Sequence, residues 1–225
     1  ANYRTTCTQP NQRLTLGCGR TLRAMIDSLS LRQVAGIEVI QAMGNIGHEA
    51  HNIDYNEIAR RAAEAFGGRA YYVSAPAILG PRAGSARQFT ETNPILGHAL
   101  ELARAADVVV VGLGSLESDQ LYAQAGLIDA DELDAIRDRA VGDICGRFFD
   151  LNGQAVATPF EARVVGIDLE DLRAAAIAIG VAGGIDKAEP LIGALRGQYI
   201  NVLVTDERTA HHIIDIVERS NHHVS

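Results

Sequence analysis

The chain has 225 residues, of which 47 % are hydrophobic and 21 % charged, a composition typical of a folded globular protein. Its formal net charge of -8 argues against a surface that coats nucleic-acid phosphates, because such a surface needs clustered lysine and arginine. Three cysteines without zinc-ribbon spacing and the lack of a long apolar run exclude a disulfide framework and a membrane span, so we expect a soluble, cytoplasmic protein.

Short apolar runs alternate with helical patterns along the chain. Seven runs have the character of buried parallel strands: RLTLGC, GIEVIQAM, RAYYVSA, DVVVVGLG, ARVVGI, AIAIGVAG and YINVLVTD. Such alternation indicates βαβ units and therefore an α/β fold with a parallel sheet. The length suits one domain, which we expect to cover residues 1–225.

The helices between these runs are predicted from their end signals. DYNEIARRAAEAFGG begins with Asp54, carries Glu57 three residues later and ends at a glycine pair, which is typical of a capped helix. Further helices are predicted in NPILGHALELARAAD, DADELDAIRDRA and TDERTAHHIIDIVERS.

One segment interrupts the alternation. AVGDICGRFFDLNGQAV has strand-like halves on either side of Leu151-Asn152-Gly153, and Asn-Gly is a strong signal for a hairpin turn. We therefore predict a small β-hairpin insertion that leaves the main sheet and returns to it.

In an open parallel sheet the ligand crevice lies outside the carboxyl ends of the strands, so the residues after each strand are the first candidates. Gly17, Gly19, Arg20 and Thr21 follow the first strand, where backbone N–H groups, a hydroxyl and a guanidinium could bind phosphate. A plain tight turn is the alternative. The third glycine and the acidic residue of a dinucleotide site are missing, so no NAD site is predicted.

Two further glycine clusters follow later strands. Gly114 and Ser115 come after DVVVV, and Gly183-Gly184 precede Lys187, the only lysine in the chain. A cation at a helix start is unfavourable unless an anion lies nearby. Lysine offers a compact charge to phosphate, or an amine for Schiff-base chemistry with an open-chain sugar. Plain turns and a solvated lysine are the alternatives.

Other polar residues are weaker candidates. Asp143 could accept hydrogen bonds from sugar hydroxyls or lie in a polar turn. Arg82 and Arg87 belong to a Gly/Pro-rich loop that could close over a ligand. No metal site is predicted, because the histidine pairs lack companion ligands; these pairs are His48 and His51, His211 and His212, and His222 and His223.

Taken as an ordered set, GCGRTL, VVVVGLGSL, AVGDICGRFFD, RVVGIDLEDLR, VAGGIDKAEPLIGAL and YINVLVTDERTA resemble the effector-binding domain of SorC/DeoR-type bacterial sugar-responsive transcriptional regulators. The match runs from about residue 13 to about residue 214. The resemblance implies a Rossmann-like parallel sheet flanked by helices, similar to ribose-5-phosphate isomerase, glucosamine-6-phosphate deaminase and the CoA transferases.

The resemblance also implies a function. The effector would be a phosphorylated sugar, and its binding would change how a homo-oligomer, dimer or tetramer, holds operator DNA. The helix-turn-helix domain of the intact regulators has no counterpart in this sequence, so DNA would be reached only through that missing domain. No cofactor and no membrane partner are implied. Carried over by position, the effector-binding residues would be Gly17, Gly19, Arg20, Thr21, Gly114, Ser115, Asp143, Gly183, Gly184 and Lys187.

A sugar-phosphate isomerase or deaminase of the same fold is the main alternative. It would need a carboxylate base at the reacting carbon, but the central strand end carries Gly112 to Ser115, with Glu117 and Asp119 only further on. A CoA transferase would need an activated glutamate, and neither Glu161 nor Glu189 lies in a suitable setting. We therefore expect a sensor rather than an enzyme.

Overall fold

Nine short strands form two sheets in the part of the chain that the computed structural model describes, residues 9–46, 54–116 and 121–222. They are β1 (Arg13–Leu16), β2 (Glu38–Gln41), β3 (Arg69–Tyr71), β4 (Val108–Val111), β5 (Gly114–Ser115), β6 (Gly142–Ile144), β7 (Arg147–Phe149), β8 (Ile177–Val181) and β9 (Val202–Val204). The main sheet has the order β3-β2-β1-β4-β8-β9, and all its pairs are parallel. The smaller sheet, β5-β6-β7, is antiparallel.

Helices flank the main sheet. They are α1 (Arg20–Asp27), α2 (Tyr55–Phe66), α3 (Ala86–Glu91), α4 (Pro94–Arg104), α5 (Leu121–Gln124), α6 (Ala130–Arg137), α7 (Leu169–Ala174), α8 (Ala188–Arg196) and α9 (Glu207–His222), with 3₁₀ turns at Glu161–Arg163 and Ile185–Lys187. This architecture confirms the predicted α/β fold with a parallel sheet flanked by helices. None of the helices in the described ranges combines the length and the apolar character that crossing a membrane requires.

The centre of the core is β4. Its four valines are all buried, and the strand lies between β1 and β8. A strand covered on both faces has an uninterrupted apolar sequence instead of an alternating one, which is why DVVVV was recognisable. The other predicted strands of the main sheet also form, with one exception.

That exception is ARVVGI, which does not form a strand of the sheet. It begins as the 3₁₀ turn Glu161–Arg163 and then makes only single bridges, from Val164 to Ile78 and from Gly166 to Met43. The reason is Arg147, whose guanidinium donates hydrogen bonds to the carbonyl oxygens of Glu161 (2.8 Å), Val164 (3.4 Å) and Ile167 (3.3 Å). These carbonyl oxygens could accept N–H groups of a neighbouring strand, but they are satisfied by the Arg147 side chain instead.

The predicted hairpin forms, but its tight turn lies earlier than expected. The turn between β6 and β7 is Cys145-Gly146, with φ of 52° and 78°, and two consecutive positive φ values are what a type I′ turn requires. Asn152-Gly153 makes a second turn, after which Ala155 forms a single bridge with Phe149. The insertion is therefore a small meander.

Helix α2 has the end structures that its sequence predicts. The Asp54 carboxylate accepts the N–H groups of Asn56 (2.9 Å) and Glu57 (3.4 Å), and Gly67 ends the helix in the left-handed conformation. The Glu57 carboxylate accepts hydrogen bonds from Arg60 and Arg61 instead of completing a capping box.

We expect Asp54→Ala to lower the free energy of unfolding by about 1 kcal/mol, because two N–H groups at the start of α2 lose their acceptor. Asp54→Asn keeps an acceptor oxygen and should differ from wild type by only a few tenths of a kcal/mol. Urea unfolding monitored by circular dichroism would measure both. Equal transition midpoints for Asp54→Ala and wild type would contradict the capping role.

Candidate functional site

The loops after β1 and β4 meet at the carboxyl edge of the main sheet. The two strands are neighbours, but the chain goes from β1 to β2 on one side and from β4 to β8 on the other. Such a reversal opens a crevice outside the carboxyl ends of the strands. A Cβ placed on Gly112 would lie 3.1 Å from the Cys18 carbonyl oxygen, so the loops are in contact. A cavity of about 110 Å³ lies at this point.

The cavity brings together residues from distant parts of the sequence. Of the ten residues proposed from the sequence, six border it: Gly19, Arg20, Thr21, Gly114, Asp143 and Lys187. The lining residues that were not among the ten are Cys18, Tyr55, Gly112, Leu113, Leu116, Tyr122, Ala123, Leu133 and Cys145.

Two cations begin helices at this cavity. Arg20 is the first residue of α1, and Lys187 ends a 3₁₀ turn and occupies the N-cap position of α8. The Lys187 side chain is only 12 % exposed, with its Nζ 3.9 Å from an Asp186 carboxylate oxygen. Helix N-termini and cations both favour a bound anion. The cavity is therefore suited to a phosphate or carboxylate group.

Asp143 provides a fixed carboxylate on β6. Its Oδ2 accepts the Tyr122 hydroxyl (3.0 Å) and the Gly146 N–H (2.8 Å), and the residue is 8 % exposed. A Cβ on Gly114 would lie 1.9 Å from Asp143 Oδ1. Glycine at position 114 is therefore required by the approach of this carboxylate, and the cavity gains an oriented hydrogen-bond acceptor.

Two tyrosines line the cavity, and neither was predicted from a sequence motif. Tyr55 is the first residue of α2, and Tyr122 lies in the short α5. Burial, reinforced by the neighbouring Cys18, raises the pKa of Tyr55. Burial and the Asp143 carboxylate raise the pKa of Tyr122 well above its usual range. Both phenols therefore keep their protons at neutral pH and act as hydrogen-bond donors.

The remaining four of the ten residues lie beside the cavity without bordering it. Gly17 packs against β4, where an added Cβ would be 3.3 Å from Val111 Cα. Ser115 is buried, and its hydroxyl has no hydrogen-bond partner among the described residues. Gly183 and Gly184 follow β8 and contact the start of α9.

A larger groove of about 1070 Å³ lies elsewhere, between α3, α4 and residues 158–168. Arg87, proposed to belong to a loop over the ligand, lines this groove from α3 and pairs with Glu91. Arg147 also borders the groove and pairs with Asp168 at 2.6 Å. Because these charges neutralise each other and the groove is not at the strand ends, we take the smaller cavity as the candidate site.

Metal ligands are not clustered in the described ranges, where no group of three or more His, Cys, Asp or Glu side chains could hold an ion. Several residues considered in the sequence lie outside those ranges or have side chains outside the description: Cys7, His48, His51, Glu117, Asp119, His222 and His223.

Comparison with known proteins identifies the family. The family model described as "Putative sugar-binding domain" matches residues 1–215. The chain belongs to this sugar-binding domain family.

Relatives of this sugar-binding domain are bacterial transcriptional regulators. The deoxyribonucleoside regulator of Bacillus subtilis is 30 % identical over 197 residues, which cover 88 % of this chain and 62 % of that protein. The transcriptional regulator LsrR of Escherichia coli is 33 % identical over 210 residues, covering 90 % and 62 %. The chain thus spans less than two thirds of the length of these curated relatives.

A solved relative gives the same result for the fold. The full-length sorbitol operon regulator SorC of Klebsiella pneumoniae superposes with a TM-score of 0.83 at 27 % identity, covering 93 % of this chain and 68 % of that one. The resemblance to SorC/DeoR-type regulators that the sequence motifs indicated is therefore confirmed. The finer likeness to sugar-phosphate isomerases stays a prediction.

In this sugar-binding domain, Gly114→Ala should displace the Asp143 carboxylate, because no real Cβ can lie 1.9 Å from an oxygen atom. The hydrogen bonds to Tyr122 and Gly146 would be strained or broken, and we expect a loss of about 1–3 kcal/mol in the free energy of unfolding. Gly80→Ala is the matched control, since an added Cβ there meets nothing within 4 Å. Equal urea midpoints for the two variants would show that Asp143 can move freely.

Proposed function

We propose that this domain is the ligand sensor of a transcriptional regulator and that its effector is a phosphorylated sugar. The observation that carries the proposal is the convergence of Arg20, Lys187 and the fixed Asp143 carboxylate on one cavity at the carboxyl edge of the main sheet. Two cations and an oriented acceptor on one cavity suit a molecule that carries both an anionic group and hydroxyl groups.

The phosphate would bind where α1 and α8 begin. Arg20 offers a planar guanidinium and Lys187 a compact ammonium, and the backbone N–H groups of a helix start add further donors. Thr21, the next residue after Arg20, also borders the cavity. The low exposure of the lysine, 12 %, would strengthen its attraction to an anion, because nearby charges are screened less away from water.

The sugar would lie toward Asp143. A carboxylate oxygen can accept more than one hydrogen bond, and sugar hydroxyls are donors. Tyr55 and Tyr122 also border the cavity, and Leu113, Leu116 and Leu133 add apolar surface, as expected of a site that buries most of a small ligand.

Sensing, rather than catalysis, fits the described part of the cavity. Asp143 is the carboxylate among the described lining residues, and its Oδ2 already accepts two hydrogen bonds. A base for proton abstraction next to a carbonyl needs a carboxylate at the reacting carbon. The relatives named above are regulators, which supports the same conclusion.

The effector would act on DNA binding by population shift in a homo-oligomer. The operator would be bound by the helix-turn-helix domain expected in the intact regulator, because this chain carries a net charge of -8. A ligand that favours one arrangement of the subunits by about 1–3 kcal/mol changes operator affinity by roughly 5–150-fold.

A thermal-shift panel tests the ligand class. We would compare the phosphates of ribose, deoxyribose, glucose, fructose and sorbitol with the five unphosphorylated compounds, with product analysis of every hit. At 100 times its Kd, a ligand should raise the melting temperature by about 5–10 °C. Stabilisation that needs the phosphate and proceeds without turnover is the expected result. Turnover would make the chain an enzyme, and equal stabilisation by unphosphorylated sugars would overturn the phosphate assignment.

Lys187→Ala should weaken binding of the phosphorylated hit about 10–100-fold, the usual loss for a hydrogen bond to a charged group. Arg32→Ala, an exposed arginine on the loop after α1, removes the same charge far from the cavity and should leave the affinity unchanged. Isothermal titration calorimetry gives both values. An unaltered affinity in Lys187→Ala would exclude this lysine from the site.

A further inference from the structure

Hydrogen bonds join the start of α9 to the loop that carries Lys187. The Asp206 carboxylate accepts the Thr209 N–H with Oδ1 (2.9 Å), and the Thr209 hydroxyl (2.7 Å) and Gly184 N–H (3.0 Å) with Oδ2. The Gly184 N–H also reaches the Thr209 hydroxyl oxygen at 2.9 Å. We call Asp206 and Thr209 the latch. Thr209 is fully buried and Asp206 is exposed, so the latch joins the packed core to a carboxylate at the surface.

The latch continues to Lys187 through one more hydrogen bond. The Gly184 carbonyl oxygen accepts the Lys187 N–H at 2.9 Å, which closes the 3₁₀ turn Ile185–Lys187. Gly184 therefore donates its N–H to the latch and accepts the Lys187 N–H with its carbonyl oxygen. Asp206 follows β9 and Gly184 follows β8, and these strands are neighbours in the main sheet, so the connection is short.

This contact explains the glycine pair differently from the sequence analysis, where both glycines were expected among the effector-binding residues. A Cβ on Gly183 would lie 2.8 Å from Asp206 Oδ2, and Gly184 has a φ of 112°. Neither glycine borders the cavity. The pair lets the loop approach the latch, and Lys187, three residues beyond Gly184, is the part of the loop that reaches the cavity.

We infer that Asp206 and Thr209 are positioning residues, which hold the Gly184 turn so that Lys187 lies in the cavity. The expected effect of the latch on ligand binding rests on the proposed function. The contact between the latch and the Lys187 turn does not. Asp206 does not border the cavity and would act only through Gly184. A simple helix cap would stabilise α9 without any effect on Lys187, so the two roles can be separated.

The charge state of Asp206 favours a latch that stays formed. Hydrogen bonds from the Thr209 N–H and hydroxyl and from the Gly184 N–H lower the pKa of Asp206 to about 2. A lowered folded-state pKa means that the carboxylate stabilises the fold above the unfolded pKa of about 4. That contribution is lost only as the pH falls toward 2, so the latch stays formed at neutral pH.

Two substitutions separate the latch from the helix cap. Asp206→Asn keeps one oxygen for the Thr209 N–H, and asparagine is as good an N-cap as aspartate, but its amide group cannot accept the Gly184 N–H. Thr209→Val removes the hydroxyl at nearly constant shape, and Thr209→Ser restores it. Ser85→Ala, which removes the cap of α3 (Ser85 Oγ to Gln88 N–H, 3.2 Å), is the control for a lost cap elsewhere.

The first measurement needs no ligand. Because the chain contains a single lysine, labelling with [¹⁵N]lysine gives one backbone amide signal, that of Lys187. Asp206→Asn and Thr209→Val should shift this signal and accelerate its hydrogen exchange about tenfold, since its protecting turn is loosened. Thr209→Ser and Ser85→Ala should leave it close to its wild-type position. An unmoved signal in both latch variants would overturn the inference.

The second measurement is a double-mutant cycle with Lys187→Ala, using the sugar phosphate that stabilises the wild-type chain most in the panel. If the latch acts through Lys187, Asp206→Asn weakens binding about 5–30-fold in the wild-type background and less than about twofold in Lys187→Ala. Equal factors in both backgrounds would show a merely structural role. If no sugar phosphate binds the wild-type chain, the proposed function fails, while the labelled-lysine result still decides whether the latch holds Lys187.

Discussion

The reversal of chain winding between β1 and β4 is the constraint on which the rest of the site depends. Because the chain leaves these neighbouring strands in opposite directions, a crevice opens outside their carboxyl ends. The cavity exists for that topological reason. Residues line it from α1, β5 and β6 and from the turn before α8.

The small sheet completes the cavity because it is attached directly to this edge. Only two residues separate the end of β4 from the start of β5, and the pairing of β5 with β6 sets Gly114 opposite Asp143. In the tight Cys145-Gly146 turn, the Gly146 N–H donates a hydrogen bond to the same Asp143 carboxylate at 2.8 Å. One acidic side chain thus fixes the turn and the spacing of the two strands, and it still borders the cavity.

Local signals in the sequence predicted most of the fold and part of the site. The apolar run of β4 and the caps of α2 are decided by neighbouring residues, so they could be recognised. The irregular course of ARVVGI could not be recognised, because Arg147, which donates to the carbonyl oxygens of Val164 and Ile167, lies 17 and 20 positions away from them. Tyr55 and Tyr122 reach the cavity only through tertiary packing. Gly183 and Gly184 were recognised as special, but the partner that requires them, Asp206, is distant in sequence and was not.

The position of Lys187 is determined by more than its own turn. α8, which starts after it, packs on β6 and β7: a Cβ on Gly142 would lie 2.8 Å from Pro190 Cβ, and one on Gly193 would lie 3.0 Å from Phe149. The other end of the turn is held by Asp206 and Thr209 of the latch. Asp143 belongs to β6, so the acceptor and the cation of the cavity are joined by one closely packed helix. A ligand that changes their separation has to move α8, α9 or the small sheet, because packed interiors do not absorb such a shift locally.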